Sequence, residues 1–414
     1  MLAQLPLSKD LVLVGGGHSH ALVMRHWAMN PLPGARLTVI DPTPIVAYSG
    51  MLPGFVAGHY SQAELSIDLN RLARAAGARL VVGAVSHIDP VRQLVSVPGY
   101  PDIGYDAASV DIGITSAMPT LPGFAKHGVP AKPLGPFAER WSAFVARVLA
   151  ARETDAPLPD DVVIIGGGVA GAELAMAAAY ALRGQGGPGA RVLLVDRGTA
   201  LSVLPARTRA RMLAGLKAQN VELVEQAQVI AVHAGGVELA SGRMLASAFT
   251  IGAAGALPHA WLSDCGLQMH EGFLCINAQL QSSDPLIFAA GDCAHMVENP
   301  RPKAGVFAVR QAPVLLENLR ATLMDTPLRS YHPQHDYLKL ISLGGKLALA
   351  GKWGFAASGP ALWRWKDRID RKFMNMLADL PQMPQPALPR ERAAGLSEAQ
   401  ESTAMCGGCG AKVG

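Results

Sequence analysis

One pattern occurs twice in this chain, and few folds accommodate it even once: a short apolar strand, a turn of glycines, a helix, and a second strand that ends on an aspartate. Residues 11–14 (LVLV) run into GGGHSH, ALVMRHWAM then carries helical apolar spacing, and RLTVID ends at Asp41. Roughly 150 residues later DVVIIGGGVAGAELAMAAAYAL and RVLLVD repeat the succession and end at Asp196. Each copy reads as a strand–helix–strand unit of a parallel sheet, with a turn so short that the helix begins directly at the end of a buried strand.

The turn carries the chemistry. A helix start offers unpaired backbone N–H groups and the positive end of the helix dipole, so it suits the pyrophosphate of a dinucleotide, and glycines let that group approach. In the first copy Gly15, Gly17, His18 and Ser19 form the turn and helix start, and His20 stands where a third glycine is expected. The second copy is complete, with Gly166, Gly168, Val169 and Gly171. Asp41 and Asp196 close the following strands, where a carboxylate accepts hydrogen bonds from adenosine ribose hydroxyls. A late apolar strand also ends in Gly291-Asp292 (LIFAAGDC). The expected fold class is therefore α/β, with two Rossmann-like dinucleotide-binding domains. The short strand patterns LVVGAVSHIDPVRQLVSV and VELVEQAQVIAVHAGGVELASG form antiparallel insertions in them, and a small α+β segment follows at the C-terminal side.

The expected division is residues 1–150 and 251–330 for a first domain in two parts, 151–250 for the second, 331–380 for the C-terminal segment, and 381–404 for a linker rich in Pro, Ala and charge. A net charge of +4, with 36 basic against 32 acidic residues and no basic block, gives no reason to expect nucleic acid. Five cysteines are an odd number without framework spacing, which favours a reducing compartment, and the cytoplasm is the default. The start MLAQLPLSKD lacks a basic n-region, and residues 162–182 are interrupted by glycines and Glu173, so neither a signal peptide nor a membrane span is expected.

In these motifs, residues 10–325 resemble the glutathione-reductase-like flavoprotein superfamily. The resemblance implies FAD in the first unit and NAD(P)H in the second, with Asp292 at the ribityl and pyrophosphate side of FAD. The stretch FTIGAAGALP, with Gly255, resembles the superfamily's domain-crossing segment. Disulfide reductases of that superfamily carry a cysteine pair after the first unit. Here PIVAYSGMLPGFVAGHY has none, which excludes a flavin–disulfide relay. The chain is more similar to type II NADH dehydrogenases and sulfide:quinone oxidoreductases, which implies that Met51 and Leu52 contact the isoalloxazine and that Glu173 faces the nicotinamide cleft. Lys303 and the helix from Gly305 resemble the element whose amino end stabilises reduced flavin. Asp196 favours NADH because a carboxylate repels a 2′-phosphate, although Arg197 leaves NADPH open. Cys265, Cys275 and Cys293 read as structural thiols.

In the stretch ALWRWKDRIDRKFMNMLADL, Leu362, Trp365, Ile369, Phe373, Met376 and Leu380 recur at helical spacing. That stripe, bordered by Arg and Lys, is read as a helix packed on the core, with peripheral membrane contact as the second reading. Finally, CGGCGAK resembles the glycine-rich start of selenophosphate synthetase (selenide, water dikinase), with Cys409 and Lys412 at the spacing of its reactive Cys and Lys. Cys406 and Cys409 have no second ligand pair nearby for zinc. Residues 405–414 are thus expected to be the start of a fused synthetase-like domain, with dikinase activity only in a longer fusion. The implied activity is hydride passing from NADH to flavin and on to a quinone or a small selenium compound. A redox-sensing module that regulates the synthetase, and a sulfide:quinone-type enzyme, are the rivals.

Overall fold

The computed structural model describes residues 6–154, 159–183 and 190–380; the expected linker and the segment holding Cys406, Cys409 and Lys412 lie outside the described residues. β1 (Lys9–Val14) turns through glycines into α1 (His18–Met29) and continues to β2 (Ala35–Asp41). The short helix α2 (Leu52–Val56), β3 (Arg79–Val82) and β4 (Ala107–Val110) follow. After β5 (Thr115–Ser116), β6 (Gly128–Pro130) and the helix α3 (Leu134–Glu153), the second unit is β7 (Val162–Ile165), α4 (Val169–Arg183) and β8 (Val192–Val195), with β9 (Val221–Val224) beyond it. β10 (Phe249–Gly252), β11 (Ala256–Leu257), β12 (Ile287–Ala289) and α5 (Gly305–Leu323) complete the part shared by both units.

Two five-stranded sheets result, in the orders β12-β4-β1-β2-β3 and β6-β10-β7-β8-β9, and every pairing within them is parallel. Their strands are apolar on both faces, as LVLV and VVII are, because helices and further sheets cover both sides. In each sheet the central strand, β1 or β7, has its helix-linked partner on one side and a strand from later in the chain on the other. Its carboxyl end is therefore a switch point, where a crevice opens for a ligand.

The topology shifts the expected boundaries. β6 pairs with β10, so the second sheet takes a strand from residues 128–130, well before position 150. FTIGAAGALP divides: β10 stays in the second sheet, while β11 pairs antiparallel with β5 to make the crossing ribbon. β12 then returns to the first sheet beside β4. The insertions are three-stranded antiparallel sheets, His87–Asp89 with Leu94–Ser96 and Ile103–Gly104, and Val229–His233 with Gly236–Leu239 and Met244–Ala246.

The C-terminal segment is a three-stranded meander, β13 (Lys339–Ser342), β14 (Ala348–Lys352) and β15 (Phe355–Gly359), followed by α6 (Pro360–Ala378). The buried face of α6 differs from the expected stripe. Trp365 and Ile369 are 46% and 42% exposed, whereas Lys366 and Asp370 are buried with Phe373, Met374 and Leu377. The buried face has turned by about one residue, roughly 100°. A fixed set of polar partners for Lys366, described below, holds it there against the exposure of two apolar side chains. Among the described residues no helix is long and apolar enough to cross a membrane.

Candidate functional site

Both glycine turns are closed by their aspartates in the same way. Gly16 N donates to Asp41 Oδ2 at 2.7 Å, and Gly167 N donates to Asp196 Oδ2 at 2.6 Å. The second oxygens accept from Thr43 N at 2.8 Å and Gly198 N at 2.7 Å. Each acid thus holds its turn in shape and keeps lone pairs for a ligand hydroxyl. Asp41 is buried, and that burial raises its pKa above the ordinary value against the pull of these amides.

The glycines differ in what they make room for. A Cβ on Gly171 would run into the Gly166 carbonyl oxygen, so this glycine serves the packing of α4 onto its own turn. A Cβ on Gly168 would meet no protein atom within 4 Å, which leaves that position open to an incoming diphosphate. Gly255, at a φ of +70°, turns the ribbon past Ala117. In the first unit His20 replaces the third glycine by bonding. Its Nδ1 lies 2.7 Å from Gly15 O and its Nε2 lies 2.8 Å from Ser109 Oγ, and burial lowers its pKa to about 4. It is a neutral structural strut. Ser19 is fully buried, and its hydroxyl donates to Ala308 O at 2.8 Å.

Gly305, the first residue of α5, lies beside His18, so the amino ends of α1 and α5 adjoin. A hollow lined by Gly291, Asp292, Lys303, Ala304, Phe307 and Gln311 extends from there. Lys132 Nζ is 3.4 Å from Asp292 Oδ2. Lys303 donates to Ala294 O at 2.7 Å and stands 3.8 Å from the Phe273 ring, and burial lowers its pKa. Glycine turns that a Cβ would fill, adjoining helix starts and a concave floor with one acid fit an extended dinucleotide. Beside Asp196 a groove is lined by Arg197, Gly198, Gln226, Leu239 and Ser241, which fits the adenosine end of a second one.

The segment YSGML turns inward at its end. Met51 is 1% exposed and Leu52 is also buried, because the chain turns inward into α2 and both side chains join the core. The part left half-open is Tyr48, Ser49 and Gly50. Over it lies α6: Lys366 Nζ donates to Gly50 O at 2.7 Å and to Asp370 Oδ2 at 2.6 Å, while Tyr48 Oη donates to Asp370 Oδ1 at 3.2 Å. The Tyr48 ring also meets Phe373 and His18, at centroid distances of 4.7 and 5.2 Å.

Glu173 belongs to the same neighbourhood. Its Oε1 accepts from Ser342 N at 2.7 Å, at the end of β13. Burial pushes its pKa up to about 7, with Asp370 adding to the rise and Lys366 and the Ser342 amide opposing it. An acid so placed changes charge near neutrality, as proton transfer requires. The folded state then holds a proton that the unfolded chain has released above its ordinary value of 4.5. Stability relative to Glu173→Gln is therefore expected to fall as pH rises from about 4.5 through about 7 and to level off above that. Denaturant midpoints of both proteins across this range check it; parallel curves would contradict the buried, proton-holding acid.

Asp111, Lys132, Tyr48, Lys366 and Asp370 were not singled out by sequence reasoning. Asp111 and Lys132 had no motif to mark them, and Lys366 and Asp370 lie off the apolar stripe by which the helix was read. Among the described residues the cysteines do not pair: Cys265, Cys275 and Cys293 are free and buried. Cys293 Sγ faces Ala290 O and Val110 O, and burial pushes its thiol up to about 12. Cys265 instead accepts from Ile88 N on the first insertion.

Two glycine cradles on two parallel sheets, joined by a crossing ribbon, define a fold built to hold two dinucleotides. The chain belongs to the pyridine nucleotide-disulphide oxidoreductase family, whose model matches residues 9–312. The family is one of pyridine-nucleotide-dependent oxidoreductases. Among curated proteins it is similar to a nitric oxide reductase FlRd-NAD(+) reductase of Klebsiella pneumoniae, 33% identical over 142 residues, which are 33% of this chain and 36% of that one. The match thus spans about a third of the relative's length. The fold is shared with the sulfide:quinone oxidoreductase of Aquifex aeolicus (TM-score 0.73, 16% identity, 91% of this chain and 93% of that one). It is also shared with NDH2 of Plasmodium falciparum in complex with NADH (TM-score 0.73, 12% identity, 92% and 100%).

Proposed function

We propose that the first cradle, with Asp41 and Asp292, holds FAD, that the second, with Asp196, holds NADH in preference to NADPH, and that electrons leave to a small-molecule acceptor without passing through cysteine. Bound FAD supplies the two-electron carrier between nicotinamide and acceptor. Glu173 orients the nicotinamide side and exchanges a proton near neutral pH. The Lys366–Asp370 pair fixes Gly50 and Tyr48. The observation that carries this reading is the pairing of two acid-closed glycine cradles with a segment, residues 48–52, that has no cysteine.

A quinone is the first acceptor to consider. An oxidised selenium compound is the second, on the strength of the CGGCGAK motif and the fusion it suggests. A sulfide-oxidising mechanism needs two cysteines within reach of the flavin, and the separate burial of Cys265 and Cys293 weighs against it. A purely redox-sensing module would be reduced by NADH but would not turn over.

Anaerobic titration tests the reading: one NADH per FAD is expected to bleach the protein fully, with no further uptake and no effect of thiol blocking. Reoxidation by a short-chain quinone analogue, compared with selenite, then identifies the acceptor. Uptake of four electrons, or loss of activity on thiol blocking, would establish a cysteine relay instead.

A further inference from the structure

We propose that Asp111 is part of the FAD site and that docking of the diphosphate there takes up one proton, held by the Asp111–His18 pair. The inference rests on the assignment of FAD to the first cradle. Asp111 follows β4, the neighbour of the central strand β1 in the first sheet, and is 3% exposed. Its carboxylate accepts from Ser19 N at 2.8 Å and His20 N at 3.3 Å, amides of the first turn of α1. α1 has no acid of its own in that turn, and its cap, Gly17, has no side chain to offer. A strand 92 residues away in sequence thus supplies the capping carboxylate.

That carboxylate fills space that only glycines leave open. A Cβ on Gly17 would overlap it, and a Cβ on Gly291 would come within 2.6 Å of its Oδ1, so it is wedged between the two glycine turns that shape the cradle. The diphosphate's negative charges must come to the same helix start. Like charges in a buried site disfavour each other, and the lowest-cost response is for one group to take up a proton.

The surrounding groups leave little choice of which one. From α1, His20 is neutral and held at both nitrogens. From the Gly291 turn come Asp292, which is paired with Lys132, and Cys293, whose thiol is neutral and buried. Lys303, near that turn, is committed to Ala294 O. From β2, Asp41 is tied to Gly16 and Thr43. Tyr48 is phenolic and bonded to Asp370. His18 and Asp111 remain, already interacting with each other; burial first and the charge of Asp292 second push Asp111 up to about 6, against the pull of His18 and the two amides. A bound dianion moves both titrations further upward, so binding draws a proton from solvent wherever the free protein has lost it.

The test is calorimetric titration of the deflavinated full chain with FAD at pH 7.5, in buffers of different ionisation enthalpy. Uptake approaching one proton is expected, with affinity falling toward tenfold per pH unit between about pH 6.5 and 8. Asp111→Asn should abolish most of this uptake, flatten the pH dependence, and bind FAD at pH 8 at least as tightly as the parent. Tight binding by the unaltered chain without proton uptake overturns the proposal, and so does an unchanged slope in Asp111→Asn. If that variant does not fold, the proton count of the unaltered chain decides. Failure to bind FAD at any pH would instead remove the cofactor assignment on which the proposal rests, an outcome distinct from binding without a proton.

Discussion

A side chain at Gly171 is expected to yield a yellow protein that NADH no longer bleaches. In Gly171→Val the new Cβ must displace the Gly166 carbonyl or push α4 off its turn, and either movement misplaces the helix start proposed to hold the nucleotide. Overpacking of this kind costs about 1–3 kcal/mol of stability. The loss of an aligned helix start should slow flavin reduction by about 100-fold or more, equivalent to about 2.7 kcal/mol. Gly168→Ala is the matched control, because its Cβ meets no protein atom within 4 Å. It should leave the unfolding midpoint unchanged and weaken NADH alone, seen as a higher KM. Stopped-flow reduction combined with denaturant unfolding separates the two; equal stability losses would show that the glycines share one structural role.

Lys366→Met should be the most destabilising single change in the C-terminal segment. Lys366 and Asp370 are 9% and 5% exposed, and the ammonium satisfies both the carboxylate and Gly50 O. Removing one member of a buried pair leaves the other charged and unpaired, at a cost of about 3–5 kcal/mol. That is a large fraction of the 5–15 kcal/mol by which a folded domain is typically stable. The loss should shrink as pH falls, since burial already raises the pKa of Asp370 and an orphaned carboxylate protonates more readily still. The double variant Lys366→Met/Asp370→Leu should recover most of the stability. If the two single losses simply add in the double variant, the pair is not coupled.

The two cradles were legible because everything that makes them is local. Strand, glycine turn, helix start and closing acid lie within about 30 residues, and backbone geometry alone dictates which residue types fit there. The parallel sheets and the two cradles came from that short-range pattern, whereas the expectation of FAD and NAD(P)H came from the family resemblance the motifs carry.

What the sequence could not decide are pairings across distance. Asp111 caps a helix 92 residues earlier, and Lys366 reaches a carbonyl 316 residues before it. Neither relation leaves a periodic trace. The face of α6 was misread for this reason: apolar spacing marks the side of a helix that prefers burial only when no polar partner is waiting. Here Gly50 and Asp370 satisfy Lys366 inside, so Trp365 and Ile369 face solvent. The early strand of the second sheet, β6, escaped notice likewise, since three residues acquire strand character only through the neighbour they pair with. Local stereochemistry thus determined the two glycine cradles from the sequence alone. Only the tertiary fold decided which charged groups surround them, because burial and long-range hydrogen bonding set the protonation of Asp111 and Glu173 and the orientation of α6.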